Sequence, residues 1–153
     1  DPKYKDMKLV ATVYGDDQPE KSTTEMESLL ANYPNLRGVI APTTVGIAAA
    51  AQVVQQRGIA DKVIVTGLGL PSEMRDFIKD GTVKAFQLWS PYNEGWLAVH
   101  FAKGVIDGTI KNEVGSTFEV PNLGTITIND KNSMNTQAEL TTFDAKNIDD
   151  FNF

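Results

Sequence analysis

The chain has 153 residues, of which 41% are hydrophobic and 22% charged, with a formal net charge of −6 and no cysteine. That length supports one core of ordinary domain size, and the composition is that of a globular chain, neither disordered nor membrane-spanning. The acidic balance without a Lys/Arg cluster argues against a nucleic-acid surface, and the lack of cysteine removes thiol catalysis, disulfides and thiolate metal sites.

The opening Asp1-Pro-Lys-Tyr-Lys-Asp6 is neither an initiator methionine nor a signal peptide. It reads as a helix end and loop, and the chain is expected to be cut from a longer precursor. Met7 to Tyr14 reads as a strand, β-branched and partly alternating. Gly15 to Pro19 is a turn, and helical spacing at Met26, Leu29 and Leu30 runs on to Asn32, ended by Pro34-Asn35. Leu36 to Ala41 is a second strand, apolar enough to be covered on both faces.

Thr43 or Thr44 then caps a helix with its body at Ile47 to Gln56, closed by Gly58. Val63 to Thr66 is the third strand, Ser72 the expected N-cap for a helix over Glu73 to Lys79, and Gly81 its end. Val83 to Trp89 is the fourth strand. Strands alternating with helices in this way predict an α/β fold, an open parallel sheet with helices on both faces. After Pro91 the character changes. Asn93 to Ile106 is one amphipathic helix, ended by Gly108, and Thr117 to Val120 and Thr125 to Ile128 are short strands around the turn Pro121-Asn-Leu-Gly124. From Lys131 the tail is polar and irregular, and its closing aromatics are expected to dock on the body.

In open α/β sheets ligands sit at the carboxyl ends of the strands. Those ends carry Pro42-Thr43-Thr44, Leu68-Gly69-Leu70 and Trp89, and the three tips are expected to lie side by side. Two hydroxyls and free amides at a helix start can bind a polyol, although capping by one threonine is the plainer reading. The Trp89 indole offers a flat apolar face and an N–H donor to a sugar ring, against the alternative of a core tryptophan. Gly67-Leu68-Gly69 is not a dinucleotide fingerprint, because Ser72 stands where the third glycine is required and Pro71 intrudes at the helix start. It reads as a turn that lets backbone approach a ligand.

His100, the one histidine, lies inside an amphipathic helix without metal-ligating company. Asp16-Asp17 follow the first strand and could touch a ligand or cation, but solvated turn residues are the ordinary reading. Asp149-Asp150 belong to the polar tail. Hydroxyls, backbone and a stacking ring with almost no titratable groups suit the binding of a neutral hydroxylated molecule better than proton transfer. No catalytic residue, metal or cofactor is assigned.

Tyr33-Pro34, Gly38-Val-Ile-Ala-Pro-Thr-Thr-Val-Gly-Ile-Ala-Ala-Ala-Ala51, Val65-Thr-Gly-Leu-Gly-Leu-Pro-Ser-Glu-Met-Arg75, Asp80-Gly-Thr-Val83, Phe86-Gln-Leu-Trp-Ser-Pro91 and Asn147-Ile-Asp-Asp-Phe-Asn-Phe153 carry a resemblance. The chain resembles the type I periplasmic solute-binding proteins of sugar ABC transporters. It is most similar to rhamnose-binding proteins, with autoinducer-binding proteins as relatives. The resemblance implies two hinged lobes closing over a sugar, with a membrane permease as partner and a periplasmic or extracellular location, optionally lipid-anchored. It implies that residues 1–91 are most of the C-terminal sugar-binding lobe. Residues 92–153 would hold a hinge crossing, a helix returning to the N-terminal lobe, short strands and the tail.

Sugar contacts in such relatives fall on Pro42, Thr43, Thr44, Leu68, Gly69, Leu70 and Trp89 of this chain. Many pentose and hexose binders place Asn-Asp, Asp and Gln at these tips. Threonine, glycine and tryptophan here imply a less polar pocket suited to a deoxyhexose such as L-rhamnose. The resemblance implies that the N-terminal lobe and the first βα unit of the C-terminal lobe are absent from this chain, so the helix with Trp96 and Phe101 is expected to pair with another copy or pack abnormally. The alternative is the effector-binding domain of a sugar-responsive transcription regulator, which would carry a DNA-binding module upstream. A sugar-modifying α/β enzyme would need a tip-placed acid, base or metal cluster, for which Asp16-Asp17 are the nearest approach.

Overall fold

The computed structural model describes residues 2–130, 133–135 and 140–153, with the side chains of 133–135 left out. The chain divides into two units, Asp1–Leu88 with Thr142–Phe153, and Trp89–Thr141.

In the first unit, α1 (Pro19–Asn32) begins with proline in its first turn, where the missing N–H costs nothing, and buries Ser22 and Met26. Strand β1 (Gly38–Ala41) leads through α2 (Thr44–Arg57) to β2 (Ile64–Gly67). The two strands pair in parallel, Gly38 opposite Ile64 and Ala41 opposite Gly67. Helix α2 is alanine-rich and buries Ile47, Ala50, Val53 and Val54. It stops at Gly58, whose left-handed φ of 62° lets its N–H reach back to the last turn.

Helix α3 (Pro71–Lys79) connects β2 to β3 (Ala85–Leu88). A parallel bridge between Leu68 and Gln87 continues the sheet, and the Thr66 hydroxyl donates to the Ala85 carbonyl at 2.9 Å. Beyond β3 lies β7 (Thr141–Asp144). The core joins Met26, Ile47, Val54, Val65, Met74, Phe86, Phe143 and Ile148.

The second unit holds α4 (Pro91–Ile106) and an antiparallel sheet of β4 (Thr117–Val120), β5 (Gly124–Asp130) and β6 (Ser133–Asn135). Phe118 faces Ile126 across the β4–β5 ladder. These two join Leu97, Ile110, Val120 and Ile128 in a separate small core.

The α/β class and the helices follow the sequence pattern, with four corrections. Met7 to Tyr14 is not a strand, because a strand exists only through a ladder and this segment has no rung partner among the described residues. Leu9 is 83% exposed. The strand read at 36–41 is covered on one face only. Val39 and Ala41 join the core, whereas Ile40 and, on the same face of β2, Ile64 are 73% and 60% exposed.

Ser72 is not the N-cap of α3. Pro71 already has the φ of a first helical residue, so Leu70 takes the cap position. The tail is not irregular throughout, since 133–135 and 141–144 are strands; residues 131, 132 and 136–139 of it lie outside the described residues.

Candidate functional site

The parallel register brings the first two tips together. Ala41 and Gly67 form the last rung of the β1–β2 ladder, so Pro42 and Leu68 follow it as neighbours. The Leu68 N–H donates to the Ala41 carbonyl at 3.0 Å and the Gly69 N–H to the Gln87 carbonyl at 3.2 Å, which stitches the second tip to β1 on one side and β3 on the other.

Pro42 and Thr43 are exposed, and Thr44, the first residue of α2, is half-buried. Of the two threonines, Thr43 is the cap, its Oγ1 accepting from the Gly46 N–H at 3.0 Å. The hydroxyl retains its own proton to donate. At the second tip Leu68 and Leu70 are half-buried, with Gly69 buried between them. A Cβ on Gly69 would lie 2.8 Å from Met74, 3.1 Å from Phe86 and 3.3 Å from Ile47. Glycine is therefore required there by core packing, which the sequence reading as a loose turn missed.

Trp89 is the first residue of the second unit and is 43% exposed, so it is not a core side chain. Ser90 follows and caps α4, accepting from the Asn93 N–H at 3.2 Å. Ser-Pro at a helix start is the signal that would have moved the expected boundary from Asn93 to Pro91.

Each acidic pair has one member in an ion pair. Asp16 and Asp17 both hold left-handed φ angles, 51° and 53°. With the Gln18 N–H donating to the Gly15 carbonyl at 2.9 Å they form a tight turn, and Asp16 pairs with Lys21. Asp149 pairs with Lys79 at 2.7 Å. His100 is half-buried on α4. Among the described residues no group of His, Asp and Glu is arranged to hold a metal ion.

Asp80 is clearly perturbed and lies at the far cap of α3 from Leu70. The length of that helix, roughly 13 Å at 1.5 Å per residue, separates it from the tips. What the tips offer is hydroxyl, amide and apolar surface. A groove of about 510 Å³ lined by Leu30, Tyr33, Leu36, Arg57, Ile59 and Lys62 lies at the opposite, amino ends of the strands.

The fold has known counterparts. The periplasmic binding protein domain family matches residues 1–110. A sugar ABC transporter protein from Actinomyces odontolyticus is 45% identical, with a TM-score of 0.84 over 99% of this chain and 48% of its own. An ABC transporter solute-binding protein from Clostridium phytofermentas, solved with bound L-rhamnose, is 35% identical, with a TM-score of 0.81 over 98% of this chain and 50% of its own. LsrB from Clostridium saccharobutylicum, solved with AI-2, is 24% identical and shares the fold at a TM-score of 0.78 over 99% of this chain and 51% of its own. The chain thus spans about half the length of these relatives. With a family match over most of its length and close likeness to sugar-transporter proteins of the type I fold, this chain belongs to the periplasmic binding proteins.

Proposed function

We propose that this chain is part of the substrate-binding component of a sugar ABC transporter and helps bind a neutral deoxyhexose such as L-rhamnose for import. The observation that carries the reading is the adjacency of the β1 and β2 tips, locked by the Leu68–Ala41 hydrogen bond, with hydroxyls and backbone but no acid or base between Pro42 and Thr44 or Leu68 and Leu70. Such a surface hydrogen-bonds a polyol and has no group to move a proton, so binding without turnover is the expected activity. The relative that is 35% identical was solved with L-rhamnose, which supports the choice of sugar.

In this reading Pro42, Thr43, Thr44, Leu68, Gly69, Leu70 and Trp89 are the contact residues, the indole stacking on an apolar sugar face. The partner is the membrane permease, and the location periplasmic or extracellular. No described helix is long and apolar enough to cross a membrane.

Calorimetric titration of the full-length protein tests this, with L-rhamnose as ligand and ribose and glucose as controls. Binding of rhamnose alone at micromolar affinity or tighter, lost in Trp89→Ala, is the expected result. No heat with any of the three would overturn the sugar assignment and favour an effector domain for another ligand.

A further inference from the structure

We propose that the segment Asn147–Phe153 is a clasp that holds the Leu68–Leu70 tip in its binding geometry, with Arg75 and Phe151 as positioning residues; its functional half rests on the sugar-binding reading above. The segment grips α3 from its start to its end. Helix α3 opens with a cap residue, Leu70, that offers no side-chain hydrogen bond, and with Pro71, which has no N–H. The Ser72 N–H is supplied with an acceptor by the tail, the Phe153 carbonyl at 3.0 Å. One turn on, the Arg75 guanidinium donates through Nη2 to the Phe151 carbonyl, and its Nε lies 3.6 Å from the Asp149 carboxylate. Lys79 Nζ holds the same carboxylate at 2.7 Å.

The tail also reaches the tip from behind, through a run of rings. Phe151 meets Phe143 edge-on at 4.8 Å, and Phe143 stacks on Phe86 at 5.0 Å and 18°. Phe86 is one of the side chains that leave no room for a Cβ on Gly69. Ile148, 1% exposed, anchors the segment in the same core. The tip is therefore bounded by two structures that the tail completes, the first turn of α3 and the Phe86 ring. Packed aromatic rings have few alternative arrangements, so loosening one end of the run loosens the other.

Amide hydrogen exchange on the chain tests the clasp in Phe151→Ala and Arg75→Gln. The Leu68 and Gly69 amides donate to Ala41 and Gln87, not to the tail, so their exchange reads the tip without touching a deleted bond. Arg75→Gln should accelerate these two amides by about tenfold, the loss expected for one hydrogen bond to a charged group, and Phe151→Ala, which removes the edge-on ring contact with Phe143, by at least as much. Met26→Ala, a core truncation on α1, is the control for general destabilisation. Unchanged exchange at Leu68 and Gly69 in Arg75→Gln overturns the clasp, as does equal acceleration in Met26→Ala at matched loss of melting temperature. Should Phe151→Ala not fold, Arg75→Gln, which replaces a half-buried side chain with a shorter polar one, decides alone.

In the full-length protein the same variants should weaken L-rhamnose binding about fivefold with the Met26→Ala affinity unchanged. Accelerated exchange with unaltered affinity overturns the positioning role. No binding by the unsubstituted protein overturns the sugar reading instead, and exchange still decides the clasp.

Discussion

Gly67 faces Ala41 at the last rung of the β1–β2 ladder, and a Cβ built on it would lie 1.9 Å from the Ala41 carbonyl oxygen. Its φ of 147° is also one that residues with a side chain rarely adopt. The close approach is what lets Leu68 bond to Ala41 and brings the two tips together. Gly67→Ala should therefore destabilise the first unit by about 3 kcal/mol, the size of a combined clash and backbone-strain defect. Urea denaturation checks this; an unchanged midpoint would show that the rung is not so tight.

Thr43 offers a way to separate capping from recognition. Thr43→Ala removes the oxygen that accepts from Gly46 and should cost about 1 kcal/mol, whereas Thr43→Ser should cost only a few tenths. If Thr43 also contacts sugar, the alanine variant loses affinity in the full-length protein and the serine variant keeps it. Equal melting temperatures for wild type and Thr43→Ala would refute the cap.

Asp80 sets a pH dependence. Desolvation pushes its carboxyl upward, but hydrogen bonds from the Thr82 backbone and side chain and from Gln55, with Lys84 nearby, outweigh this and hold it below the ordinary 3.8. A lowered folded-state value means the unfolded chain binds the proton more readily. The contribution is thus complete above the unfolded value and is lost as pH falls through the folded one. Asp80→Asn should be less stable than wild type at pH 7, by less than about 1 kcal/mol because the group is exposed. The difference should be smaller at pH 2. Thermal melts at both values decide it, and a difference that grows toward acid would contradict the sign.

Helix α4 carries exposed Tyr92, Trp96, Val99 and Ile106, at 78%, 42%, 69% and 84%. They recur at alternating steps of four, three and seven, the spacing of one helical stripe. An apolar stripe of this kind favours association, and the 153-residue chain is expected to self-associate through it at micromolar concentration. Sedimentation velocity should show the larger species in wild type and its loss in Trp96→Glu. A monomer at every concentration would refute this.

Local signals made most of the helices legible. Alanine density and a terminal glycine announce α2, and the spacing of Met26, Leu29 and Leu30 announces α1, because caps and helix spacing depend on near neighbours in sequence. Met7 to Tyr14 shows the limit. Its β-branched pattern records a preference, but a strand is made by its partner, and pattern cannot say whether the partner is present. Gly69 shows another. Its glycine suggested open backbone, yet Met74, Phe86 and Ile47 close on it, a packing that only the third dimension contains. Of the site, the proximity of Pro42 to Leu68 was legible from alternating strands and helices. The bond of Phe153 to Ser72 was not, because it joins residues far apart along the chain.

The first unit is not one continuous stretch of chain. Phe143 and Ile148 fill a core whose other members lie before residue 89, so during synthesis the earlier part must wait, its aromatic pocket open, while residues 89–141 emerge. The second unit, whose residues are consecutive, can assemble first. The last strand and its tail then complete a body that was begun long before, so the first unit cannot close its core until residues 142–153 have left the ribosome.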